Sequence, residues 1–267
     1  MATGETDVSQ YSSYLLLGWD GHALQWSRGH AGQIIEAGEE TSVDSIGFKN
    51  ACLKLKKRGF GEDSVVFHHR HAFFTVAPAS VAKGYEEQLM ALHLGTREGT
   101  KSDQSFHSDA FGDELVVMER WESDALRLDV QNIWPHVQFE SSSLRWLEKV
   151  GAASRAASSP LIAVDIGSSR ALLARLDEGK LMWAMVTEDL EGEGLLYHIV
   201  NALHRDGLEP ENSKAKVLLS GNVEPEDAWF GVFERFFTQV EIVQSEMEVP
   251  GLKTQRWALH TYLATCV

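Results

Sequence analysis

Leu161-Ile162-Ala163-Val164-Asp165-Ile166-Gly167-Ser168-Ser169-Arg170-Ala171-Leu172-Leu173-Ala174-Arg175-Leu176 holds two apolar runs parted by Asp, Gly and Ser. Residues 161–164 form an unbroken apolar run, the pattern of a strand buried on both faces. Residues 165–169 supply turn chemistry, and 170–176 read as a second strand. Asp177-Glu178-Gly179-Lys180 makes the next turn, and 181–186 a third strand. A helix comes next over about 191–205, because Leu196, Ile199, Val200 and Leu203 fall at i, i+3, i+4 and i+7, with Gly207 as its stop. Residues 216–220 are a fourth strand. A helix from about 225 carries Phe230, Phe233 and Phe237 on one stripe, 240–243 is a fifth strand, and 255–265 a closing helix.

The same order of elements is legible upstream. Strands are expected over 14–17, 23–27 and 33–36, then a helix over 41–57 whose Phe48, Ala51, Cys52 and Leu55 share a face. Residues 114–119, 123–132, 137–140 and 141–150 supply strand, helix, strand and helix. Extra material precedes residue 114. Residues 64–67 and 73–76 read as a small hairpin, 84–94 as a helix, and 96–108 as a polar, mobile stretch. Gly151-Ala152-Ala153-Ser154-Arg155-Ala156-Ala157-Ser158-Ser159-Pro160 has the composition of a linker. The expected organisation is a flexible tail over 1–13, a first domain over 14–150 with an inserted subdomain at about 60–112, a linker over 151–160 and a second domain over 161–267. The fold class is α/β, two domains each built on a mixed five-stranded sheet with flanking helices.

A repeated order of three strands, helix, strand, helix, strand, helix resembles the actin, sugar-kinase and Hsp70 superfamily, with its duplicated ribonuclease H-like domains. Asp165-Ile166-Gly167-Ser168-Ser169 is similar to the Asp-x-Gly turn of actin-like ATPases, and Val217-Leu218-Leu219-Ser220-Gly221-Asn222 to their adenosine motif. The insertion resembles the extra subdomain of bacterial cell-division and pilus-assembly actin homologues. Phe73-Phe74-Thr75-Val76-Ala77-Pro78, Trp134-Pro135-His136, Leu195-Leu196-Tyr197-His198-Ile199 and Leu218-Leu219-Ser220-Gly221 occur in the order of the bacterial domain of unknown function 3822 family. That resemblance covers nearly the whole chain. It implies a degenerate actin-like fold and leaves the function open.

The resemblance implies a nucleotide site formed by both turns, in which backbone N–H groups clasp phosphates and acidic side chains hold Mg²⁺ through water. Asp165, Gly167, Ser168 and Ser169 suit the second-domain half. The first-domain half reads Gly18-Trp19-Asp20-Gly21-His22 where Asp-x-Gly is expected, so Gly18 stands opposite Asp165 and Asp20 opposite Gly167. Gly221-Asn222 replaces a glycine pair beneath the adenine. The candidate nucleotide-binding residues are therefore Gly18, Asp20, Gly21, Asp165, Gly167, Ser168, Ser169, Gly221 and Asn222. The plainer reading makes both turns ordinary hairpin connections, for which Asp and Gly are default residues.

Other clusters point to less. Gly95-Thr96-Arg97-Glu98-Gly99-Thr100-Lys101-Ser102 lacks the glycine spacing of a phosphate loop. His68-His69-Arg70-His71 lacks partner ligands at zinc spacing and reads as a solvated hairpin tip. Cys52 and Cys266 have no nucleophile context, and neither a catalytic residue nor a metal site is assigned. Five aromatics, Trp229, Phe230, Phe233, Phe236 and Phe237, cannot share one helix face, so Trp229 or Phe236 is expected to meet another element or a partner.

The chain has 267 residues and a net charge of −15, spread over both halves. Binding to a nucleic-acid backbone or an anionic membrane is disfavoured. The start is polar and acidic, unlike a signal peptide, and two cysteines make no disulfide framework; the expected compartment is the cytoplasm. The expected function is a non-catalytic scaffold or partner-binding module with an unidentified protein partner and no cofactor. The alternative is an ATP-binding switch or ATPase holding Mg-ATP between Asp20 and Asp165. A sugar kinase ranks third, for want of a substrate-binding insertion.

Overall fold

The computed structural model describes residues 13–30, 33–41, 44–60, 64–94, 105–121, 124–157, 159–210, 214–224 and 226–243. The first sheet holds β1 (Tyr14–Trp19), β2 (Leu24–His30), β3 (Gln33–Glu40), β4 (Ser64–His69) and β8 (Gln138–Glu140) in the order β3-β2-β1-β4-β8. The second holds β9 (Leu161–Ile166), β10 (Ala171–Asp177), β11 (Lys180–Thr187), β12 (Lys216–Gly221) and β13 (Gln239–Ile242) in the order β11-β10-β9-β12-β13. In each, the first three strands are antiparallel neighbours and the last two join in parallel. The two sheets share one topology.

Alternation within each apolar run explains how the layers pack. Tyr14, Leu16 and Val66 point to one side of the first sheet, and Leu161, Ala163, Leu172 and Ala174 to one side of the second. Between them lies α5 (Ser142–Ala156), whose Leu144, Trp146, Leu147 and Val150 join both sets in a single core. On the far side of the first sheet, Leu15, Leu17 and Trp19 meet α1 (Ser45–Lys57) and α4 (Asp124–Ile133). Phe48 of α1 contacts Trp19 edge-on at 5.0 Å and Phe67 at 5.9 Å, geometries worth about 1 kcal/mol each beyond burial. Behind the second sheet, Ile162, Val164 and Ile166 pack on α6 (Gly192–Arg205), with Phe233 of α7 (Ala228–Glu234) in the same core. Strands buried on both faces need apolar residues at every position, which is why residues 161–164 are continuous.

The insertion differs from expectation in both of its bounds. Residues 64–69 are no hairpin arm: β4 is an interior strand of the first sheet, parallel to β1. Residues 114–119, expected as the fourth strand of that sheet, fall instead largely in β7 (Leu115–Trp121) of a separate sheet ordered β5-β7-β6, with β5 (Phe73–Pro78) and β6 (Ser105–Phe111). The inserted subdomain therefore begins with β5 and ends with β7, and α2 (Ala79–Ala82) and α3 (Glu86–Leu94) cover its sheet through Ala82 and Met90. Residues 105–108, expected to be mobile, pair with β7.

The expected linker is also shorter, because α5 continues to Ala156. Gly151 faces Leu176 and Phe111, and Ser154 accepts a hydrogen bond from Gly179 N–H at 3.0 Å. Small residues there serve close helix packing between two sheets. Phe233 and Phe237 are core, while Phe236 is 39% exposed. The expected tail, save Ser13, and the closing helix lie outside the described residues, as does the side chain of Trp229.

Candidate functional site

The turns that follow β1 and β9 meet through Asp20 and Ser168, and strand register fixes where the residues beyond each strand lie. Gly18 pairs with His68 and Trp19 with His69; Asp165 pairs with Ser220 and Ile166 with Gly221. Gly18 thus lies within β1, at the place Asp165 holds in β9, and Asp20 lies at the place of Gly167. By the same register, His69-Arg70 occupies the position of Gly221-Asn222. The backbone bonds agree: Arg70 N–H donates to Trp19 O at 2.6 Å, and Asn222 N–H to Ile166 O at 2.7 Å.

Asp20 turns the chain from β1 into β2. Its Oδ1 accepts from the N–H of His22 at 2.9 Å and of Ala23 at 2.7 Å, while Gly21 supplies the left-handed φ of 93°. Its Oδ2 accepts from Ser168 Oγ at 2.7 Å, a bond that crosses from one domain to the other. Ser168 Oγ lies 3.5 Å from Asn222 Nδ2 as well. Burial opposes the charge of Asp20, but the Arg70 guanidinium and these hydrogen bonds prevail and lower its pKa.

Asp165 is buried at the end of β9. Its Oδ1 accepts from Ser220 Oγ at 2.5 Å, and its Oδ2 meets His71 Nε2 at 2.7 Å. Burial would raise its pKa; His71, Arg70 and the Ser220 hydroxyl outweigh it and hold the carboxyl at about 2. His71 also covers the turn. A Cβ on Gly167 would lie 2.5 Å from His71 Nδ1, so only glycine lets the imidazole sit there. Gly221 has φ 85°, and a Cβ on it would come 2.1 Å from Ile166 O.

Asp20, Gly21, Asp165, Gly167, Ser168, Gly221 and Asn222 are thus brought together, with Ser169 in the same turn as Ser168. Gly18 is the exception, placed in the strand. The arrangement also contains residues expected elsewhere. His68, His69, Arg70 and His71 are buried, not solvated at a hairpin tip. Nothing local in the sequence signals this, because His69-Arg70 stands against Gly221-Asn222 only once β4 joins β1.

Chemically, the four carboxylate oxygens all accept hydrogen bonds from protein. Mg²⁺, which demands a near-octahedral shell, would compete with Ser168, Ser220 and His71 for the carboxylate lone pairs. Among the described residues, no three His, Cys, Asp or Glu side chains are grouped to hold a metal ion.

Comparison with solved structures places the fold in a known architecture. A Bacteroides thetaiotaomicron protein, described as having an actin-like ATPase fold and unknown function, matches over 100% of both chains with TM-score 0.78 and 16% identity. The fold is that of the actin-like ATPases. A chain of the PilM–PilN type IV pilus biogenesis complex matches 94% of this actin-like chain over 97% of its own, with TM-score 0.62 and 14% identity. The cytoplasmic domain of EpsL, an inner membrane component of the Vibrio cholerae type II secretion system, matches 96% over 94% of its own length, with TM-score 0.50 and 13% identity. No protein-family model matches the chain, and no curated protein does. No helix among the described residues is long and apolar enough to cross a membrane.

Proposed function

We propose that this chain is a non-catalytic, actin-fold scaffold or partner-binding module whose nucleotide site is degenerate. One observation carries the reading: Asp20 and Asp165, the acids available for Mg²⁺, spend both oxygens on protein donors, and the Asp20–Ser168 bond joins the two turns that would flank phosphates. In an ATPase these groups would instead face the nucleotide and its metal. The compartment on this reading is the cytoplasm.

The partner is a protein, and the inserted subdomain supplies apolar surface for it. Val81, Tyr85 and Leu92 there are 51%, 62% and 77% exposed. The PilM–PilN neighbour supports a role in assembly, since that structure is described as a type IV pilus biogenesis complex.

Calorimetric titration with Mg-ATP and Mg-ADP tests the site: no saturable heat is expected up to millimolar nucleotide. Affinity capture from the source cell tests the surface. A partner retained by Ser168→Ala and lost on combining Tyr85→Ser with Leu92→Ser supports the scaffold; saturable nucleotide binding overturns it.

A further inference from the structure

The connection between β4 and β5 touches three parts of the molecule within four residues. Arg70 donates from its backbone to Trp19 O at 2.6 Å and from its guanidinium to Gln25, both in the first sheet. His71 pairs with Asp165 and covers Gly167, both in the second domain. Phe73 opens the inserted sheet, and its ring contacts two guanidinium groups. Arg120 of β7 is 4.7 Å from the ring centroid, and Arg170, beside the Gly167 turn, is 4.0 Å from it. His71 holds φ 52°, a left-handed conformation uncommon outside glycine. Such backbone persists where surrounding contacts over-determine it, and it is concentrated at clamps and switches.

We propose that Arg70–Phe73 is a strap coupling the inserted subdomain to the closed junction between the domains. Movement of the insert withdraws His71 from Asp165 and, with it, Ser168 from Asp20. The coupling runs through contiguous contacts: the insert cannot shift Phe73 without disturbing Arg170, and Arg170 lies two residues beyond Ser168. Because linkage is reciprocal, loosening the junction also loosens the insert.

Hydrogen exchange on the full chain tests the strap with Phe73→Leu, which keeps an apolar side chain but removes the ring face. Exchange at residues 20–23 and 165–170 is expected to quicken roughly tenfold while α6 stays at the wild-type rate, the pattern of a local opening. His71→Ala is the second arm, and its expected effect reaches β5 and β7. The strap is overturned if Phe73→Leu alters only the inserted sheet, if His71→Ala leaves that sheet unchanged, or if either variant speeds exchange uniformly.

Discussion

Ser168 donates a 2.7 Å hydrogen bond to Asp20 across 148 residues of sequence, tying the first turn of one domain to the first turn of the other. In the same junction His71 reaches Asp165, 94 residues away, at 2.7 Å. Two acids at equivalent ends of the two sheets therefore each hydrogen-bond to a side chain remote in sequence, Asp20 to Ser168 and Asp165 to His71.

Acid should release the second of these. The carboxyl of Asp165 titrates at about 2 in the folded chain, against roughly 3.9 for an unfolded Asp. A depressed folded pKa contributes stability above the unfolded value, and that stability is lost as pH falls from about 4 towards 2. The contribution is on the order of 2 kcal/mol. The lowered pKa of Asp20 acts with the same sign. Urea unfolding midpoints measured from about pH 4 down to pH 2 should fall steeply for wild type and less steeply for Asp165→Asn.

Gly221→Ala should be among the most damaging single-methyl changes in the chain. The residue has φ 85°, and the added carbon meets Ile166 O at 2.1 Å. Backbone strain plus that clash should cost about 2 kcal/mol or more. Chemical denaturation gives the number. An unchanged midpoint would mean that the turn can rearrange.

Glu119 tests the seating of α5. Fully buried, its carboxyl accepts from Ser143 N–H at 2.6 Å and lies 3.4 Å from Ser142 Oγ, at the N-terminus of α5. Glu119→Ala should cost roughly 1–3 kcal/mol, as for a buried donor left unsatisfied. Glu119→Gln, which keeps one acceptor, should restore part of the loss in a thermal melt.

Cys52 should be inert. It is buried on α1, and burial, with Asp129 nearby, pushes its thiol to about 12, whereas reactive cysteines have lowered values. Peptide mapping after iodoacetamide treatment of the folded chain should show no label at Cys52 until denaturant is added.

The second domain was legible because its strands are continuous apolar runs and its turns carry Asp, Gly and Ser. Both candidate turns were legible too, down to Asp20 standing opposite Gly167. What failed was the assignment of short strands to sheets. Residues 64–69 and 115–121 have similar β-forming composition, and nothing local says which joins β1. His68 to His71 looked solvated because Asp165, the acid that pairs His71, is remote in sequence. Gly151 to Ala156 read as linker because small residues suit both a loop and a helix pressed between two sheets.

The central claim is that the junction between the turns is closed by protein groups and not built for nucleotide. Thermal unfolding with and without millimolar Mg-ATP tests it most directly. A ligand at 100 times its Kd adds about 2.7 kcal/mol of stability, and each kcal/mol moves the midpoint by roughly 2–4 °C in a chain of this size. The account predicts the same midpoint in both conditions. A rise of several degrees that Asp165→Ala abolishes would contradict it and make the chain a nucleotide-binding switch.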